Sequence, residues 1–264
     1  MTFILPRAAF VTLALAALSF AAYQDHGVTY DDTPELPGQA YKVHGERPVP
    51  RVVTPGNAAA APSDAIQLFD GTNLDEWRSG DKPAGWDLEG DFMRINGTGS
   101  IQSKREFGDL QVHLEFSCPT PTKGNSQGRG NSGLFFMGRY ELQILDSFEN
   151  NTYPDGQATA LYGQWPPLVN ACLPAGEWSS LDVIFEAPEF DGEDLKTPAR
   201  VTVLHNGVLV HHAKEFLGAT AHRSVAKYAA HGERGHLQLQ DHGNPLRFRN
   251  IWVREMTGYD EGEK

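Results

Sequence analysis

In separate short runs between Ile66 and Val253 apolar residues recur at every second position. Leu110, Val112, Leu114 and Phe116 alternate with Gln111, His113 and Glu115, and Leu181, Val183 and Phe185 keep the same phase. Leu142 and Ile144 alternate with Glu141 and Gln143, and Leu237 and Leu239 with Gln238 and Gln240. A period of two places successive side chains on opposite faces of a strand, so each run buries one face and leaves the other polar. Turn signals separate the runs: Glu89-Gly90-Asp91, Gly138-Arg139 and Asn206-Gly207, the last being the strongest hairpin signal in the chain. About ten strands at this spacing predict an all-β domain, a β-sandwich or jelly roll of two antiparallel sheets. One short helix is expected, near Ser224 to His231.

The 264 residues and 29.0 kDa suit one large β domain. A net charge of −12 disfavours nucleic acid and anionic membranes, both of which call for a basic patch. Residues 1–22 read as an export signal: Arg7 supplies the positive start, Ala8 to Phe20 the apolar run, and Ser19 and Ala21 the small residues before a cleavage point. The run is too short to span a bilayer comfortably, so no stable membrane span is expected once it is removed. Export implies a periplasmic or secreted protein. It also makes Cys118 and Cys172 candidates for a disulfide, with two unpaired thiols as the alternative. Residues 23–63, rich in Pro, Gly, Ala and Asp, read as an arm or linker. The folded domain is expected at 64–256 and a polar tail at 257–264.

The polar faces carry the candidate chemistry. If three strands are neighbours, His113 and Glu115, Glu141 and Gln143, and Gln238 and Gln240 share one concave surface, with His242 in the turn that follows. Such outward faces are also polar simply because water is there. The aromatic-bearing loop with Tyr162 and Trp165 could wall a groove. Arg139 and Asp146 bracket the central strand, and a one-residue bulge would bring Asp146 to the Glu141 face. Two carboxylates there would suit glycoside cleavage, but Gln143 stands where the laminarinase-type jelly-roll glycosidases need a third acidic residue. A structural Asp146 at a turn is the alternative. Among the ten histidines, His211-His212, His222, His231, His236 and His242 lack regular ligand spacing, and His211-His212 reads as a surface feature. A divalent cation remains possible without a loop signature for it, and no phosphate loop or nucleophile elbow is present.

Three blocks resemble a known family: Leu68 to Trp77 (LFDGTNLDEW), Arg129 to Ser147 (RGNSGLFFMGRYELQILDS) and Leu237 to Glu255 (LQLQDHGNPLRFRNIWVRE). Together they are similar to the bacterial 3-keto-disaccharide hydrolases, formerly a domain of unknown function. The resemblance implies a concanavalin-like jelly roll, export, and action on glycosides already oxidised at C3 by a partner sugar 3-dehydrogenase. The matching positions are Glu141, Gln143, Asp146, Gln240, Asp241 and His242, and the loop holding Tyr162 also fits. Trp178-Ser179 departs from the family's usual Trp-Asn.

The chemistry expected is removal of the C2 proton, loss of the C1 substituent and addition of water. Glu141 or Asp146 would be the base, His242 the acid, and Arg139 or a bound cation the oxyanion stabiliser. His113, Glu115, Gln143, Tyr162, Trp165, Gln238 and Gln240 would contact substrate. Two other readings stay open. One is a lectin-like module stacking sugars on Trp86, Trp165 and Tyr162; the other is a two-carboxylate glycosidase acting on unoxidised glucan.

Overall fold

The computed structural model describes residues 27–57, 60–224 and 227–256, and Gly258. The expected export signal at 1–22 lies outside the described residues, as do 23–26 of the arm and, Gly258 apart, the tail at 257–264. The described residues fall into two compact units, 27–52 with Gly258, and 53–256. In the smaller unit Glu35 and Lys42 form an antiparallel bridge, and the Tyr30 N–H donates to the His44 carbonyl at 3.0 Å. No helix among the described residues is long and apolar enough to cross a membrane.

In chain order the strands are β1 (Ile66–Phe69), β2 (Trp77–Ser79), β3 (Lys82–Pro83), β4 (Asp87–Glu89), β5 (Phe92–Arg94), β6 (Ile101–Phe107), β7 (Leu110–Ser117) and β8 (Ser132–Phe136). They continue with β9 (Tyr140–Ile144), β10 (Ser179–Glu186), β11 (Glu189–Asp191), β12 (Asp194–Thr197), β13 (Arg200–His205), β14 (Val208–Glu215), β15 (Gly235–Leu239) and β16 (Arg247–Glu255). One sheet runs β14-β13-β10-β7-β16-β5-β4 with β1 also on β16, and the other β3-β2-β6-β15-β8-β9. β11 and β12 form a separate hairpin. The expected sandwich is therefore the fold, with more strands than alternation reveals. The extra ones are two to four residues long, too short to display a period.

The inner faces are the alternating apolar sets. In β7, Leu110, Val112, Leu114 and Phe116 are all buried, and Val183 and Phe185 of β10 lie in phase with them. From the other sheet Leu134, Phe136, Leu142, Ile144, Leu237 and Leu239 face inward. Phe136 stacks on Phe185 across the two sheets, ring centroids 4.4 Å apart, a geometry worth about 0.5–1.5 kcal/mol beyond area burial.

Several expectations need correcting. Residues 227–231 are not helical; the described residues contain only two short 3-10 turns, Ser126–Gly128 and Pro154–Gly156. His211 is not a surface residue: β14 buries it, and its Nε2 lies 2.8 Å from the Thr159 carbonyl, while His212 is exposed. An irregular register between β13 and β14 lets two successive residues leave strict alternation. Of the two alternatives for Cys118 and Cys172, the structure has the unpaired thiols. Burial pushes the Cys172 thiol up to about 11 and Cys118 higher still.

Candidate active site

β9 is the edge of the six-stranded sheet and carries Glu141 and Gln143 on the outer face. An edge strand offers unpaired backbone groups, and two distant segments satisfy them here. Residues 159–162 run along β9: the Thr159 N–H donates to the Gln143 carbonyl at 2.7 Å, the Gln143 N–H to Ala160 at 2.9 Å, and the Tyr162 N–H to Glu141 at 3.3 Å. Along the same free edge Thr220 Oγ1 accepts the Glu141 N–H at 2.9 Å, and the Thr220 N–H donates to the Arg139 carbonyl at 2.8 Å. These two segments deliver Tyr162 and His222 over the outer face. The same cover leaves Glu141 only 5% and Gln143 only 1% exposed.

A pocket of about 270 Å³ results, lined by Glu141, Gln143, Tyr162, His222, Gln240 and His242 together with Asn131, Phe135, Thr220 and Ala221. Its floor is set by hairpin register. Phe135 lies opposite Glu141 and Gly133 opposite Gln143, and the Gln240 N–H donates to the Gly133 carbonyl at 3.0 Å. Gly133 matters by its missing side chain. A Cβ there would sit 2.6 Å from Glu141 Oε1 and 2.9 Å from the Phe135 ring, so only glycine leaves room for the carboxyl. Asp241 holds the following turn, its carboxylate accepting the Gly99 and Gly243 N–H groups at 2.9 Å each, and His242 projects from there to the pocket.

Burial pushes the Glu141 carboxyl from 4.5 up to about 8, and no cation among the described residues is paired with it. The Gln143 amide lies against this carboxyl. One of its ends faces Glu141 Oε1 at 3.2 Å and the Ser132 carbonyl at 3.0 Å, and the other faces Gln127 Oε1 at 2.9 Å. With its nitrogen toward the first pair, the amide donates to both Glu141 and Ser132. Tyr162 keeps its proton too: burial, then the hydrogen bond with Tyr153, pushes its phenol above the usual range.

Glu141, Gln143, Tyr162, Gln240 and His242 therefore come together, and the other expected site residues do not. His113 and Glu115 lie on β7, in the opposite sheet, because alternation tells which face a residue takes but not which sheet its strand joins. There His113 Nδ1 meets Asp182 at 2.7 Å, and Glu115 accepts from Arg249 at 2.7 Å. Gln238 shares a cross-strand row with Glu141 but stands two strands away, behind Phe135. Trp165 is partly buried against the core, with Lys214 Nζ 3.2 Å from its ring centre. Arg139 is exposed on the β8–β9 turn, away from the pocket lining. Asp146 does not return to the Glu141 face. Arg129 clamps it in a two-bond fork at 2.7 and 3.1 Å, and it accepts the Phe148 N–H at 3.3 Å. Its role in the fold is to close the loop after β9. Among the described residues no group of three or more His, Cys, Asp or Glu side chains is gathered to hold a metal ion.

Sequence reasoning missed Asn131, Phe135, Thr220, Ala221 and His222. Register across the Gly138 hairpin could have found Phe135. Thr220, Ala221 and His222 arrive by a loop with no periodic signal.

The profile of the 3-keto-alpha-glucoside-1,2-lyase-like domain matches residues 64–254. A curated 3-keto-disaccharide hydrolase of Bacteroides thetaiotaomicron is 23% identical over 240 residues, covering 72% of this chain and 77% of that protein. A solved structure of a candidate glycosyl hydrolase from Parabacteroides distasonis superposes with a TM-score of 0.78 at 42% identity, covering 83% of this chain and 99% of its own. A second from the same organism, at TM-score 0.53 and 18% identity over 74% of this chain and 94% of that one, shows the fold alone. With most of the sandwich inside the matched span, Glu141 and its pocket included, the chain belongs to the 3-keto-alpha-glucoside-1,2-lyase-like family.

Proposed function

We propose that this protein cleaves the glycosidic bond of 3-keto-glycosides by elimination and hydration, with Glu141 as the base. The observation that carries this reading is a single carboxyl, buried, without a paired cation among the described residues and raised to about 8, on the floor of a pocket that also holds amide, phenol and imidazole groups. A two-carboxylate glycosidase needs a second acid facing the first across the bond. Among the described residues Glu141 is the only acidic one lining this pocket, and Asp146 is committed to Arg129. A lectin-like strip is also poorly supported: Trp86 is buried and stacked on Phe248, and Trp165 packs against the core.

A ketone at C3 acidifies the hydrogen on C2. Glu141 takes that proton, and the electron pair moves into an enolate between C2 and the C3 oxygen. The enolate re-forms the carbonyl and expels the C1 substituent, which leaves with a proton from an acid and gives a C1=C2 enone. Water adds at C1, C2 regains a proton, and the net change is hydrolysis. A carboxylate with a raised pKa is a stronger base than an ordinary one, which suits a carbon acid. Gln240 and Tyr162 supply neutral donors for the developing oxyanion. A sugar 3-dehydrogenase would supply the substrate, and the site of action would be the periplasm or beyond.

The test is product release from a 3-keto-disaccharide and from its unoxidised parent, with and without EDTA. Cleavage of the keto sugar alone is expected, with kcat/KM rising with pH through about 8 as Glu141 loses its proton. Glu141→Gln should remove most turnover, and wild-type activity in that variant would sink the assignment. Cleavage of the parent sugar would favour the two-carboxylate reading, and binding without turnover the module.

A further inference from the structure

Beside the Glu141 pocket lies a larger one of about 630 Å³, lined by Tyr153, Asp155, Tyr162, Gly163, His222, Arg223 and Ser224. Tyr162 and His222 line both. They form a built partition: the Tyr162 hydroxyl and His222 Nδ1 are 3.0 Å apart, and the rings stack at 19°. Tyr153 meets Tyr162 edge-on at 66°, hydroxyl to hydroxyl at 2.7 Å, so two aromatic faces make a corner. The ring of Tyr153 sits over Gly156, where a Cβ would come within 2.0 Å of it. That contact fixes the wall.

We propose that this second pocket is the subsite for the leaving-group sugar, and that His222, on the border between the two, delivers the proton to the departing oxygen. The inference rests on the reading of Glu141 as base. Size supports it: small-molecule sites run to about 300–1,000 Å³, a range the Glu141 pocket at about 270 Å³ does not reach by itself. One sugar ring fills the first pocket, and the second must take the rest of a disaccharide. Tyrosine faces suit the apolar face of a sugar ring, and Asp155 and Arg223 offer opposite charges to its hydroxyls. The scissile oxygen then lies where the pockets meet, which is where His222 stands. His242 lines the first pocket only. With Nδ1 held on Tyr162, Nε2 is the nitrogen His222 has for the leaving oxygen. After giving up its proton, the same imidazole can take one from the water that adds to C1.

The experiment compares three substrates that share the 3-keto-glucosyl group: the methyl glycoside, the disaccharide and the nitrophenyl glycoside. Arg223→Ala should lower kcat/KM on the disaccharide about tenfold, the scale of one lost polar contact, and leave the methyl glycoside within about threefold. His222→Ala should cost about 100-fold or more on the methyl glycoside and disaccharide, whose leaving groups need a proton. On nitrophenolate, which leaves without one, the cost should be only a few-fold. Equal losses on all three substrates would overturn the subsite and the role of His222. If the wild-type protein cleaves none of the three, the elimination reading itself fails, a separate result.

Discussion

Burying an unpaired carboxyl lowers stability, and Glu141→Gln should recover what is lost. In the unfolded chain the carboxyl titrates near 4.5, and in the folded protein burial moves it to about 8. Below pH 4.5 both states hold the proton and no penalty exists. Between 4.5 and about 8 the unfolded chain releases the proton while the folded one keeps it, so stability falls as pH rises, by about 1.4 kcal/mol per unit. Above about 8 both states are ionised and the penalty is constant. The gap at pH 7 corresponds to an upper bound of roughly 3 kcal/mol. For a domain of this size that is a Tm difference of about 6–12 °C. Glutamine keeps the shape and removes the titration. The assay is thermal or urea unfolding of both proteins from about pH 5 to about pH 9. The advantage of the Gln variant should grow with pH and level off above about 8 as its turnover stays low. A pH-independent difference, or a parent protein more stable than the variant at pH 8, would refute the reasoning.

The pocket floor and the Asp146 clamp give two further tests. Gly133→Ala sets a Cβ 2.6 Å from Glu141 Oε1, and a displaced base should lose about 100-fold in kcat with a smaller change in KM; unchanged turnover would remove Gly133 from the site. Arg129→Leu leaves Asp146 buried and unpaired, with only 2% of its side chain exposed, and should cost about 3–5 kcal/mol in denaturant unfolding. A variant as stable as the parent would show that the fork is dispensable to the fold.

The sequence carried the fold further than the site, for one physical reason. Alternation reports which residues share a face, so the apolar sets of β7, β9, β10 and β15 and the hairpins at Gly90, Gly138 and Asn206-Gly207 were all readable. It does not report which sheet a strand joins. His113 and Glu115 obey the same pattern as Glu141 and Gln143, yet β7 lies in the middle of the other sheet. The loops were opaque for a second reason. Thr220 is fixed by the Arg139 carbonyl and the Glu141 N–H, contacts made by backbone groups that every residue has. Asp146 was legible as a carboxylate, but Arg129, seventeen positions earlier, decides that it serves the loop.

The two outer faces show why only one of them hosts a site. On the outer face of the eight-stranded sheet the polar groups of β7 and β16 have charged or hydrogen-bonding neighbours: Asp182 for His113, Arg249 and Asn250 for Glu115, Asp64 for Arg254. Ion pairs of this kind hold a carboxylate ionised and already engaged. On the six-stranded sheet the opposite condition holds at Glu141. A carboxyl reaches about 8 only where both water and cations are kept away, and a bare sheet face excludes neither. The segments at 159–162 and 218–222 supply that exclusion by completing the free edge of β9, so the same hydrogen bonds that quiet an edge strand also bury the Glu141 carboxyl. The edge position of β9 is therefore the condition for the covered pocket: a central strand, paired on both sides, would have no backbone groups left to recruit the cover.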